Sequence, residues 1–152
     1  MPLRSPTRVT SLGSPRRSPG ACARPLAPRE LVRQTALLHD LGKLAVPREV
    51  LDKPGRLTDA ERELIRCHPV AGADVIQGVP ALTSLAAAVR AWHERWDGNG
   101  YPDRLRGEQI PLAARIVAVC DAFEAMTGDR SYREPKNLTD ALHELQLCRQ
   151  PV

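Results

Sequence analysis

The stretch Leu37-Leu38-His39-Asp40-Leu41-Gly42-Lys43 sets a His-Asp pair inside an apolar run. Burying an imidazole and a carboxylate side by side is costly unless they are paired or bound to a metal. A neutral imidazole nitrogen beside a carboxylate oxygen suits a divalent transition metal. Lys43 follows Asp40 by one helical turn, within reach of the same site. Taken alone the dipeptide decides little, because most His-Asp pairs are surface or capping residues. The reading depends on partners elsewhere in the chain.

Around this pair, Leu31, Gln34-Thr35, Leu38 and Leu41-Gly42 fall on one stripe, widened by Leu37. The spacing predicts a helix from about Arg29 to Lys43, closed by Gly42 and Pro47. Upstream, residues 1–28 are rich in Pro, Ser, Arg and Gly and have no apolar period. Such a composition does not offset the entropy of ordering, so a disordered tail is expected. The tail has no apolar core of a secretory signal, and its prolines spoil the amphipathic helix of a transit peptide. It also explains the charge. The chain carries a net +4, but its first 29 residues hold six Arg and no acid, which leaves the remainder mildly acidic. The basic balance therefore does not argue for a fold that binds a nucleic-acid polymer.

At 152 residues the chain is expected to form one domain with a real core. Aromatics are only 3% of it, while Leu and Ala are abundant, which favours helices over strands. No run is long and apolar enough to span a bilayer. Cys22, Cys67, Cys120 and Cys148 are widely spread without a CxxC, and read as buried or free thiols in a reducing, cytoplasmic setting.

Downstream, Val50-Leu51 form a short turn before Lys53-Pro54-Gly55. Thr58-Asp59-Ala60-Glu61 is a capping box opening a second helix. Pro69 interrupts that helix, and His68 stands just before a fresh helical start that runs to Gln77. A third helix covers about Leu82 to Trp92. The segment His93 to Pro102, with its Asp-Gly step, second Gly and Pro, is a structured loop. A fourth helix runs from Pro111 to about Thr127, with Ile116, Val119, Cys120, Phe123 and Met126 at helical spacing around Asp121. Leu138 to Leu147 forms the last helix, with Thr139 a candidate cap. No repeat or strand is expected.

His39-Asp40, His68, His93 and Asp121 thus lie on or at the ends of separate helices, the way helical bundles build metal centres. A carboxylate shared between cations lets them activate a water and stabilise charge on a phosphoryl group. Each residue has a blander reading. A lone His at a helix break is usually a cap, His143 reads as a solvated face, and the Cys and Trp residues read as packing. Asp121 is the most telling single residue, since a carboxylate amid apolar neighbours demands a partner.

In order, HDLGK, KPGRLTDAERELIRCHPVAG and HERWDGNGYPDRLRGEQIPLAARIVAVCDAFEAMTGDRSYR resemble the HD-GYP subgroup of the HD-domain phosphohydrolases, from about Gln34 to Arg133. The resemblance implies an all-α HD-domain helical bundle over residues 29–148, incomplete at both ends, behind the disordered tail. It implies two divalent ions, iron or manganese, held by His39, Asp40, His68, His93 and Asp121, with Asp40 and Lys43 catalytic. It implies hydrolysis of cyclic di-GMP in bacterial signalling, with Gly100, Tyr101, Pro102, Arg130 and Arg133 facing substrate. Diguanylate-cyclase or sensor domains are the implied partners. Two arginines at i and i+3 also suit a phosphodiester physically. The chain departs from the family in two ligands. The family's His from a preceding helix has no counterpart before His39, and Trp92 stands where a His is frequent. These departures imply reduced metal occupancy. They keep two alternatives open: an impaired fragment that binds a nucleotide or partner, and a phosphohydrolase of another nucleotide. Without a preceding helix, the HD helix is expected to expose apolar surface and self-associate.

Overall fold

A computed structural model describes residues 26–129 and 134–147. They form seven α-helices: α1 Pro28–Leu38, α2 Arg48–Leu51, α3 Asp59–Arg66, α4 His68–Gln77, α5 Ala86–Ala91, α6 Leu112–Thr127 and α7 Leu138–Leu147. Short 3-10 turns at Leu41–Ala45, Thr83–Leu85 and Gly107–Gln109 link them, and there is no strand among the described residues. The expected tail lies almost wholly outside the described residues, as do Cys22, Cys148, Arg130 and Arg133.

The first helix ends earlier than its apolar stripe predicts. α1 stops at Leu38, with His39 as its C-cap, and the chain tightens into the 3-10 turn. The cause is a close backbone crossing. A Cβ on Gly42 would stand 1.8 Å from the His68 carbonyl oxygen and 2.6 Å from the Gly72 nitrogen. Gly42 is therefore a contact between this turn and α4 rather than a helix terminator. The sharp turn also swings His39 and Asp40 out of the helical ladder toward α4.

The capping box forms as expected. Thr58 Oγ1 accepts the Glu61 amide at 3.2 Å, and the Glu61 carboxylate accepts the Thr58 amide at 2.8 Å. Lys53 Nζ donates to both Glu61 oxygens at 2.7 Å, tying the preceding turn to α3. Asn137, not Thr139, caps α7: its Oδ1 accepts the Asp140 amide at 2.9 Å.

The core lies around α5. Fully buried Ile76, Leu85 and Val89 pack with Leu26, Leu31, Leu38 and Leu41. Ala88, Ala91, Trp92, Ile110, Ala113, Ala114 and Val117 form the second cluster, with Leu31 again at its edge. The small alanines of α5 and α6 let these helices come close. The buried face of α6 is thus Ala113, Ala114, Val117 and Met126, while Ile116 and Val119 are exposed. Helical spacing was right there, but the larger side chains point outward because α1 and α5 pack on the small-residue face. Cys67 and Cys120 are exposed free thiols, not core.

Candidate metal centre

Three breaks in the helices bring the candidate residues together: the end of α1, the α3–α4 junction and the end of α5. At the first, His39 Nδ1–H donates to the Ala36 carbonyl at 2.7 Å, which turns Nε2 outward, 3.5 Å from Asp40 Oδ2. At the second, His68 opens α4 and is almost fully buried. Its Nδ1–H donates to the Ile65 carbonyl at 2.6 Å. Burial pushes its pKa below the ordinary histidine value, so the ring is neutral and Nε2 carries a bare lone pair.

That lone pair faces Asp40 Oδ1 at 3.7 Å. Both atoms are buried, and neither has a hydrogen-bond partner. Two acceptors facing each other in low dielectric repel unless a cation lies between them. A ring whose other N–H is fixed by a backbone carbonyl is also the usual arrangement of a metal-bound histidine. The second Asp40 oxygen accepts Lys43 Nζ at 2.7 Å.

His93 follows α5. Its ring stacks on Tyr101 at 4.6 Å and meets the His68 ring edge-on at 5.0 Å. Burial, reinforced by His68, lowers its pKa to about 3, with Asp40 opposing. It too is a neutral imidazole. Trp92 is buried among the three histidines, its ring 4.5 Å from His39, 5.7 Å from His68 and 3.5 Å from His93. Its Nε1–H lacks a partner.

The loop that carries Tyr101 is held by Glu94, a residue the sequence reading passed over. Glu94 is buried and accepts the amides of Asp103 at 2.7 Å and Leu105 at 3.1 Å. Arg90 clamps Asp103 through two hydrogen bonds of 2.7 Å. Gly100 is required because a Cβ there would lie 2.3 Å from the Arg95 nitrogen. The Tyr101–Pro102 peptide is cis. An acid directly after a candidate ligand, followed by a Gly-rich loop, is the signal that marks Glu94 as a loop anchor.

The structure thus gathers His39, Asp40, Lys43, His68, His93 and Tyr101. Asp121 sits half-buried on α6 and makes no hydrogen bond or ion pair among the described residues. As arranged, no three His, Cys, Asp or Glu side chains among the described residues close on one point as a cation would require. The fit to a cation is that of the Asp40–His68 pair with His39 beside it.

The HD domain family matches residues 20–150. The chain belongs to the HD domain family. Its His39-Asp40 pair and Gly100-Tyr101-Pro102 triplet place it with the HD-GYP subgroup. This HD domain is 45% identical over 122 residues to a cyclic di-GMP phosphodiesterase of Pseudomonas aeruginosa, covering 78% of the chain and 30% of that protein. It is 45% identical over 114 residues to a cyclic di-GMP phosphodiesterase response regulator of Xanthomonas campestris pv. campestris, covering 74% of the chain and 30% of the relative. The chain therefore spans about a third of the length of these relatives. A crystal structure of a cyclic GMP-AMP-specific phosphodiesterase of Vibrio cholerae superposes with a TM-score of 0.56 at 23% identity, over 80% of this chain and 35% of that one, and shares the fold. Among the described residues no helix is long and apolar enough to cross a membrane.

Proposed function

We propose that this HD domain is the hydrolytic unit of a metal-dependent cyclic di-GMP phosphodiesterase, acting in the bacterial cytoplasm beside a sensor or cyclase domain. The observation that carries the reading is the pair of facing, unpartnered acceptors, Asp40 Oδ1 and His68 Nε2, 3.7 Å apart. The 45% identity to two cyclic di-GMP phosphodiesterases supports the substrate.

Two divalent ions, iron or manganese, are the proposed cofactors, with His39, Asp40, His68, His93 and Asp121 as ligands. When bound, they would lower the pKa of a water and neutralise phosphoryl oxygens. The protein's own groups do the rest. The Ala36 and Ile65 carbonyls fix the tautomers of His39 and His68 so that each presents Nε2. Lys43 holds one Asp40 oxygen, leaves the other for the cation and adds positive charge near the phosphate. Gly100, Tyr101 and Pro102 form the substrate side of the loop, and Arg130 with Arg133 hold the phosphates.

The test is metal content and cyclic di-GMP hydrolysis after purification in manganese or under anaerobic iron. We expect Asp40→Ala to lose both, and turnover by that variant would overturn the reading. A second reading, an impaired module that binds nucleotide without hydrolysing it, is favoured by the Trp92 ring among the histidines. Trp92→His separates the two. If metal per chain and turnover rise together, Trp92 limits loading in the natural chain.

A further inference from the structure

Between Asp40 and His68 the chain makes an excursion. It leaves the core at Val46, soon after Lys43, and returns at His68. Both flanking residues are buried, whereas none of residues 47–67 is. This arm holds α2 and α3, neither of which has a buried residue. Its half-buried apolar side chains are Val50, Leu57 and Ile65. Its ion pairs, Arg48–Asp52, Lys53–Glu61, Arg62–Asp59 and Arg66–Glu63, all lie within it. The arm is therefore braced against itself and lightly fastened to the core. A segment with so little buried apolar surface opens at a lower free energy than the core.

Among the described residues, two polar side-chain interactions join the arm to the rest, and both end in the candidate site. The Ile65 carbonyl accepts His68 Nδ1–H at 2.6 Å. The Arg66 guanidinium lies over the Tyr101 ring, 5.1 Å from its centroid. His68 is thus shared: Nδ1–H holds the arm, and Nε2 faces Asp40 Oδ1. With no cation between them, the opposed lone pairs of Nε2 and Oδ1 push the ring from Asp40 and work against that hold. With Nε2 on a cation, the ring is fixed and its Nδ1–H becomes a stronger donor.

We propose that the arm of residues 47–67 is a cation-operated clasp. Occupancy of the Asp40–His68 pair closes it through the Ile65 carbonyl, and loss of the cation frees it to open as a unit. Such coupling is reciprocal, so the closed arm in turn favours a bound cation. The inference rests on the metal reading of the pair and adds to it a movement outside the site.

The test is hydrogen–deuterium exchange of the whole chain, read by mass spectrometry in chelator and in manganese, with bound manganese measured alongside. In chelator, peptides of the arm should exchange faster than those of α5. Manganese should slow the arm by about tenfold. It should leave unchanged α7, a surface helix that packs on α6. Asp40→Asn puts an amide N–H opposite Nε2 and removes a charged ligand. Its arm should exchange more slowly than the wild type's in chelator and ignore manganese. Arg66→Ala cuts the other tie. Its arm should exchange faster in both conditions yet keep the tenfold response to manganese, since that response runs through Ile65. An arm as slow as α5 in chelator overturns the clasp, as does bound manganese that leaves the arm unchanged or slows α7 equally. Loss of the response in Arg66→Ala overturns the route through Ile65. Protection of the arm without hydrolysis of cyclic di-GMP upholds the clasp and rejects only the phosphodiesterase. Hydrolysis with an arm that ignores manganese rejects only the clasp, and a chain that binds no manganese rejects both.

Discussion

At the scale of single residues, the centre is defined by what Asp40 and His68 lack. In the metal-free chain their facing acceptors are an uncompensated cost. Asp40→Asn would place an amide N–H opposite the His68 lone pair. The variant is expected to be more stable than the wild type in chelator, by about 1 kcal/mol. It should also lack the thermal shift that the proposed metal centre leads us to expect of the wild type in manganese. A lower Tm for the variant in chelator would mean that the two groups do not oppose each other in solution. Gly42 makes a second residue-scale prediction. A methyl group there meets backbone on both sides, which cannot yield as a side chain would. Gly42→Ala should cost ~3 kcal/mol in urea denaturation. The meeting of His39-Asp40 with a second histidine was legible in the sequence, since an acid-base pair in an apolar run has few inexpensive explanations. The role of Gly42 was not, because a contact glycine and a terminating glycine look the same before the chain is folded. The same limit hid Trp92. Its place in the motif was visible, but not that its ring packs against three histidines.

At the scale of elements, starts were more legible than ends and faces. Thr58-Asp59-Ala60-Glu61 announces α3 because its hydrogen bonds are local and need no tertiary partner. The end of α1 and the buried face of α6 depend on neighbours distant in sequence, so periodicity misplaced both. The local character of the α3 cap also gives it a distinct acid response. Lys53 first, then the Thr58 amide and hydroxyl, lower the Glu61 pKa from 4.5 to about 2. A carboxylate with a folded pKa below its unfolded value stabilises fully above the unfolded value. That contribution is lost as pH falls from 4.5 through about 2. Glu61→Gln removes it at neutral pH. The variant's Tm should therefore start lower at pH 7 and fall less steeply than the wild type's across that acid window. Parallel acid limbs would show that Glu61 is unpaired in solution. Thr58→Ala should cost about 1 kcal/mol at neutral pH through the same cap.

At the scale of the whole molecule, the outer surface is unusually apolar along one helix. Leu112, Ile116 and Val119 stand at helical spacing on α6 and are 58%, 38% and 53% exposed. Leu37 on α1 and Leu44 in the turn after it are 68% and 86% exposed. Scattered exposed apolar side chains are ordinary, but a stripe on one helix is a contiguous patch. The sequence led to an expectation of exposure on the HD helix, on family grounds. Leu37 meets it, but helical spacing alone did not tell which face of α6 would be covered, so its exposed stripe was not legible. Burying such a stripe against a second copy recovers about 25 cal/mol for each Å² withdrawn from water, set against the entropy of association. The chain should accordingly self-associate. In sedimentation equilibrium its weight-average mass should rise with concentration, and its thermal transition should move with it. Ile116→Lys with Val119→Glu breaks the stripe at two of its three exposed positions. That double variant should stay monomeric at every concentration, with a Tm equal to that of the dilute wild type. Equal masses for the two proteins would mean that the stripe on α6 is not the surface through which copies meet.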